Sequence, residues 1–417
     1  MTAIAIIVIL RVRVTSLEWH AEYPVLSLGE PTRDLFVFVE RERRLALART
    51  WRLLPEQTCN ACTEVAAAER FDALFEEQRR YVAAGYRRHK GGEWLREANA
   101  ARAIALAGWG NPVRLAELHT LPIGSLPDYL SDRASEILSG DSTQEQRRIA
   151  RVGAIHNALR LLSAAVGLFA IGVCVAWLRG YRYPRREYRA RLIAPTLGRG
   201  LLIFVWAQAF VSACVRLRQE YPDTPFDLFG LLPGLALVIG TVALLKVTKS
   251  RPEEKPIENL VRCPLDKRSQ RALWLVGVAS LGVVIVFRFV ASTIADRLGI
   301  AADWSEGFNE TLSFGTPTEA ALRALSSLVL APFGEEMAFR GVLFGALATR
   351  VRTHRAALVS ATLFAVIHGY GVLGFSGVAL GGYLRARISA RTGTLLPAIL
   401  GHALNNALSV GWELTVR

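Results

Sequence analysis

Six side chains towards the C-terminal end of the chain are of types that carry hydrolytic chemistry: Glu335, Glu336, Arg340, His368, His402 and Asn406. All stand in apolar runs, where ionisable groups are costly and usually mark function. In Pro332-Phe-Gly-Glu-Glu-Met-Ala-Phe-Arg-Gly341, Glu336 and Arg340 are four residues apart. With the acid on the N-terminal side, that is the better order for an intrahelical ion pair. Glu335 is rotated by about 100° from its neighbour and meets Phe339, not a cation, at the fourth position on. A carboxylate in low dielectric with no local cation is suited to exchanging a proton with water, which makes Glu335 the candidate base. The competing reading is that both acids serve one arginine-centred packing cluster.

His368 stands in Phe364-Ala-Val-Ile-His368-Gly369, in the middle of an apolar run. A single histidine on an apolar face is more often a satisfied core residue, but Gly369 beside it allows a helix or a substrate backbone to approach closely. In Gly401-His-Ala-Leu-Asn-Asn-Ala407, His402 and Asn406 are four apart and share one helix face. Such a pair can donate two hydrogen bonds towards one oxygen, as an oxyanion hole requires. Its bland alternative is interhelical hydrogen bonding, worth about 0.6–2 kcal/mol. Asn405 points elsewhere on the helix. A base, a histidine near it and a His/Asn donor pair together supply what hydrolysis by activated water needs.

Positioning these groups takes membrane helices. A span needs about 20 mostly apolar residues, and the candidates are 158–178, 193–215, 226–247, 272–294, 319–348, 356–373, 375–392 and 394–412. Gly341 with Gly345, and Gly377 with Gly381, have the small-xxx-small spacing that lets helices close up. Arg179–Arg191 holds six Arg and one Glu, Lys246–Arg271 is basic again, and Asp296–Glu319 is mostly acidic. Arg350, Arg352 and Arg355 follow, and then Arg385, Arg387 and Arg391, read as a further basic flank. By the positive-inside rule the basic flanks are cytoplasmic, and eight spans then put residues 1–156 and the C-terminus outside. The expected fold is an all-α polytopic bundle of about eight spans, with a mainly helical extramembrane domain over residues 1–150.

The bulk properties agree. The chain has 417 residues, 52% of them hydrophobic and 21% charged, a mixture that suggests one polar part and one part facing lipid. Residues 1–150 carry 20 Lys+Arg against 20 Asp+Glu, so the whole net charge of +14 lies in the remaining 30 against 16. Because those basic residues lie between long apolar runs, they suit membrane topology and not nucleic acid. Glu93–Ala107 and Phe71–Ala84 have helical spacing, and Asn111-Pro112 and Pro122–Pro127 punctuate the domain. Residues 1–14 include Ala3–Leu10, an apolar stretch short for a signal-anchor, with Arg11 and Arg13 on the wrong flank. Five cysteines make no disulfide framework. Cys59 and Cys62 form a lone CxxC, only half a zinc site and better read as a local disulfide or as no site at all, and Cys174 and Cys214 sit in apolar runs as packing residues.

The three motifs resemble those of the CPBP intramembrane endopeptidases, the CAAX prenyl protease and bacteriocin-processing family: EExxxR, FxxxH and HxxxN on successive membrane helices. Here they stand in that order as Glu335-Glu336-x-x-x-Arg340, Phe364-x-x-x-His368 and His402-x-x-x-Asn406. The resemblance covers residues 318–412, with 157–300 as accessory spans. It implies a bacterial cytoplasmic-membrane protease that cuts a peptide or membrane-tethered protein in or beside the lipid. By that analogy Glu335 and His368 activate water, His402 and Asn406 stabilise the oxyanion, and Glu336 and Arg340 hold the site together. The family's mechanism has two readings. Either Glu335, His368 and His402 bind a zinc ion, whose water then has a pKa of about 7, or the carboxylate works without metal. CAAX-type processing enters only through the resemblance. Two other classes compete: a non-catalytic immunity or scaffold protein of the same fold, which would be expected to have lost one of the motif residues, and an ion-coupled transporter. No second copy of the motifs in residues 158–294 supports a transporter's repeats.

Overall fold

The computed structural model of the chain describes residues 35–36, 39–40, 43–44, 71–76, 91–108, 111–140, 143–178, 198–206, 209, 226–247, 267–298, 312 and 317–414. Among these residues the protein is all-α, with no strand. Expectations for Ala3–Leu10, Cys59, Cys62, Cys214, the span 193–215 apart from residues 198–206 and 209, and most of the loops fall outside the described residues, as does the side chain of Cys174. The chain divides into two compact units, one around Tyr23–Leu161 with Trp412–Arg417, the other around Leu162–Gly411.

The first unit contains α1 (Gly91–Gly108), α2 (Pro112–Leu118) and α3 (Asp128–Ser139), with one 3-10 turn, Ile123–Ser125, between α2 and α3. The Asn111-Pro112 pair starts α2 as its chemistry dictates: Asn111 Oδ1 accepts from the backbone N–H of Val113 and Arg114, both at 3.1 Å, and Pro112 takes the position whose N–H has no partner. Gly140, at φ +69°, closes α3 in the left-handed conformation. The interior is partly ionic. Glu40 is buried beside Arg43 (3.1 Å) and Arg133 (3.0 Å), and Glu145 pairs with Arg43 and with Arg44 at 3.1 Å. Burial by itself would push the Glu40 carboxyl up, but Arg43, Arg133 and Arg44 outweigh it and hold it below the usual carboxylate range.

The long α4 (Thr143–Leu178) is followed among the described residues by α5 (Phe226–Val247) and α6 (Lys267–Arg297). Residues 317–348 then form one unbroken helical run made of α7 (Pro317–Leu325), a π-helical segment Ser326–Leu330, α8 (Ala331–Glu336), a second π segment Met337–Phe344 and α9 (Gly345–Ala348). The helices α10 (Thr353–Val366), α11 (Val372–Thr392) and α12 (Leu396–Glu413) complete the unit. Its core is apolar and aromatic. Phe339 is fully buried and packs edge-on against Phe204 and Phe364, both with ring centroids at 4.9 Å. Where α6 and α12 meet, Gly401 has no room for a side chain: a Cβ there would lie 2.8 Å from the Gly277 carbonyl oxygen.

Two expectations change. The stretch 356–373 is not one helix, since α10 ends at Val366 and residues 367–369 turn. Gly369, at φ +67°, causes the break, so His368 lies in a turn at a helix end and not in mid-helix. Arg385 is not a flanking charge either; it lies inside α11 and is buried. Of the spans, α4 and α6 hold stretches long and apolar enough to cross a membrane, Thr143–Val173 and Leu273–Ala295, of whose most apolar windows only 17% and 33% is buried.

Candidate functional site

Helix α8 supplies Glu335 and Glu336, and the way its backbone is built sets their direction. Pro332 has no N–H, and Ala331 N already bonds to Ser326 O in the i−5 pattern of the first π segment. The next carbonyl in that register, Ser327 O, therefore lacks a backbone donor. Asn406 of α12 fills the gap: its Nδ2 donates to Ser327 O at 2.8 Å. The second π segment is held similarly, with Ser360 Oγ of α10 donating to Phe339 O at 2.9 Å. Both π segments thus take a side-chain hydrogen bond from a facing helix, and the two glutamates lie between them.

Adjacent in sequence, the two glutamates differ in surroundings. Glu336 is fully buried; its Oε2 lies 3.2 Å from Arg340 Nε, and its Oε1 3.0 Å from Arg385 Nε and 2.9 Å from His402 Nδ1. The arginine contacts are ion pairs without hydrogen-bond alignment, whereas His402 Nδ1 donates a hydrogen bond. Glu335 keeps part of its side chain exposed, and among the described residues the ring of His402 lies near it, with Nε2 3.6 Å from Oε2. His402 therefore bridges the pair. Since the Glu336 carboxylate can only accept, the proton sits on Nδ1, and the neutral ring turns the lone pair of Nε2 towards Glu335.

His368 is fixed by the end of its own helix. Its Nδ1 donates to the Phe364 carbonyl at 2.7 Å, one of the last carbonyls of α10, which places the ring's lone pair on Nε2. The Phe364 ring ties the constellation together. His368 packs on it at 4.6 Å and His402 at 6.0 Å, and the Arg340 guanidinium lies 4.2 Å from its centroid. The structure thus gathers Glu335, Glu336, Arg340 and His402 into direct contact. His368 is joined to them through Phe364, and Asn406 is anchored on the helix that carries the glutamates. Among the described residues no group of three His, Cys, Asp or Glu side chains could hold a metal ion. Glu335, His368 and His402 do not form such a group.

Arg385 is the residue that sequence reasoning overlooked. A signal for it was present, because Gly377, Gly381, Arg385 and Ser389 continue one stripe at i+4 spacing and all four are buried. A charge on the stripe that packs against other helices is a buried charge, whatever its place in the count of flanking arginines.

Fold and cluster define an all-helical protein that buries a glutamate–arginine–histidine constellation between facing helices. Residues 317–408 match the family described as Type II CAAX prenyl endopeptidase Rce1-like, and all three motifs fall inside that segment. The similarity is confined to this segment, and the family it is similar to is membrane-embedded. No curated protein and no solved structure matches the chain.

Proposed function

We propose that the chain is an intramembrane endopeptidase that hydrolyses a peptide bond in or beside the bilayer, with CAAX-type processing as the family's precedent. The observation that carries this reading is the unequal treatment of two adjacent carboxylates. Glu336 is met by Arg340, Arg385 and His402, while among the described residues Glu335 has His402 Nε2 at 3.6 Å and no arginine within ion-pair distance. Glu335 takes a proton from water as the oxygen attacks the scissile carbonyl carbon, with the Nε2 lone pair of His368 as second acceptor. The carbonyl π electrons move onto oxygen. Asn406 has one amide hydrogen besides that given to Ser327, and the neutral His402 ring becomes an Nε2–H donor when Glu335 passes on the proton it has taken from water, with Glu336 as counter-ion; both can then stabilise the oxyanion, and the proton goes back to Glu335 as the intermediate collapses. Collapse breaks the C–N bond, and Glu335 returns its proton to the leaving amine.

The eight-span topology belongs to the same reading, in a bacterial cytoplasmic membrane with the N-terminal domain and C-terminus outside. Apolar side chains turned outward from the helices support it, including Leu168 and Ile171 on α4 and Phe289, Val290 and Ile294 on α6. In a helix of a soluble core such residues would be covered. The test is cleavage of a membrane-tethered peptide library by purified protein, with and without a strong chelator, beside Glu335→Gln. Cleavage that survives the chelator and falls by about 10²–10⁴ in the variant is expected for a glutamate base. Cleavage lost to the chelator and restored by zinc would make Glu335, His368 and His402 metal ligands. A non-catalytic protein of the same fold would cleave nothing under any condition.

A further inference from the structure

Arg385 is 7% exposed, so its charge is nearly as desolvated as that of Glu336. Burying a second guanidinium is costly unless it meets compensating charge. Neutralising Glu336 does not require it, because Arg340 already pairs with Oε2 at 3.2 Å. The second arginine lies instead 3.0 Å from Oε1, the oxygen that accepts the His402 Nδ1–H at 2.9 Å. Together Glu335, Glu336, Arg340 and Arg385 make a charge-balanced set of two carboxylates and two guanidinium groups. Three helices meet at that one oxygen: α8 through Glu336, α11 through Arg385 and α12 through His402.

We propose that Arg385 is a positioning residue of this site, fixing the Glu336 carboxylate so that Oε1 holds His402 by Nδ1 and turns its Nε2 towards Glu335. This rests on the hydrolytic reading above. With Arg385 absent, Glu336 is still paired with Arg340 through Oε2 but is free to rotate about that contact. Oε1 then leaves Nδ1, and the His402 ring loses the single tautomer that the carboxylate imposes. A buried arginine serving only as packing ballast would alter stability and leave the ring's proton where it is.

The experiment uses the full chain, labelled with ¹⁵N-histidine in lipid, and His402 is assigned by subtracting the spectrum of His402→Gln. In the wild type the His402 signals are those of a ring protonated at Nδ1. Arg385→Gln is expected to give mixed or exchanging tautomer signals, and Arg385→Lys, which keeps the charge, to restore the wild-type pattern. In parallel, hydrolysis of an internally quenched peptide ending in a farnesylated Cys-Val-Ile-Met sequence is followed. There Arg385→Gln lowers kcat by about 10–100-fold with KM changed less than about 2-fold, and lysine recovers most of the loss. Wild-type signals and kcat in Arg385→Gln overturn the proposal, as does a change confined to KM. If Arg385→Gln does not fold, the Lys variant decides alone: a mixed tautomer with the charge retained also overturns it. Failure of the hydrolytic reading is separate, since it appears as a wild type and a Glu335→Gln that cleave alike while the spectra still respond to position 385.

Discussion

Two carboxylates one residue apart occupy opposite situations because a helix turns them to different faces, and that much could be read from Glu336 and Arg340 in the sequence. The ion pair at 3.2 Å is the one that their spacing predicts. What spacing could not give was the third and fourth groups on the same carboxylate, since Arg385 and His402 arrive from other helices, 49 and 66 positions further on. Helical periodicity carries information about neighbours on one helix, not about which stripes meet. The consequence is a difference between the two glutamates that goes beyond activity. Glu335→Gln should remain folded, because among the described residues no guanidinium lies within ion-pair distance of Glu335. Glu336→Gln removes the charge facing both Arg340 and Arg385, and breaking a buried pair costs about 3–5 kcal/mol. A clear fall in melting temperature in detergent, together with lost cleavage, is expected for Glu336→Gln only. A Glu336→Gln protein as stable as wild type yet inert would exchange the roles of the two residues.

The elements were legible where apolar length decides them and illegible where hydrogen bonds from elsewhere do. The helices α5, α6 and the run 317–348 lie where hydrophobic stretches put them. The stop before His368 was missed even though Gly369 was noted, because a glycine in an apolar run signals close approach as readily as a left-handed turn. The two π segments had no visible signal except Pro332, and their cause is tertiary: a proline removes one donor, and Asn406 from α12 supplies another at 2.8 Å. This coupling can be measured. Asn406→Ala leaves the half-buried Ser327 carbonyl short of a partner, at about 1 kcal/mol. Pro332→Ala returns a backbone N–H to the same stretch, so in a double-mutant cycle it should suppress part of that loss, with a coupling of at least about 0.5 kcal/mol. Additive melting temperatures would show that the amide and the proline act independently, leaving Asn406 with the oxyanion duty alone.

At the scale of the whole chain, the charge count separates a neutral N-terminal stretch from a basic remainder, but it says nothing of where the neutral part keeps its charges. Among the described residues Glu40, Arg43, Arg133 and Glu145 are buried together. Composition cannot reveal this, because an ion pair on the surface and one in the interior have the same sequence. The difference is nonetheless thermodynamic. Glu40 titrates below its ordinary value because the surrounding arginines outweigh its burial. A carboxyl whose pKa is lower folded than unfolded contributes stability that is complete above the unfolded value. That contribution disappears as the pH falls through the folded value. The unit around Tyr23–Leu161 should therefore hold its stability from neutral pH down to about pH 4.5, the ordinary value for such a carboxyl, and lose it progressively below. Hydrogen exchange of the α3 amides in the full-length protein, measured against pH, follows this directly. Glu40→Gln lacks the titrating group and takes one of their carboxylates from Arg43 and Arg133, so it should be less protected than wild type at neutral pH, and the gap should narrow as the medium is acidified. A gap that stays constant down to about pH 3 would mean that the arginines do not lower the Glu40 carboxyl.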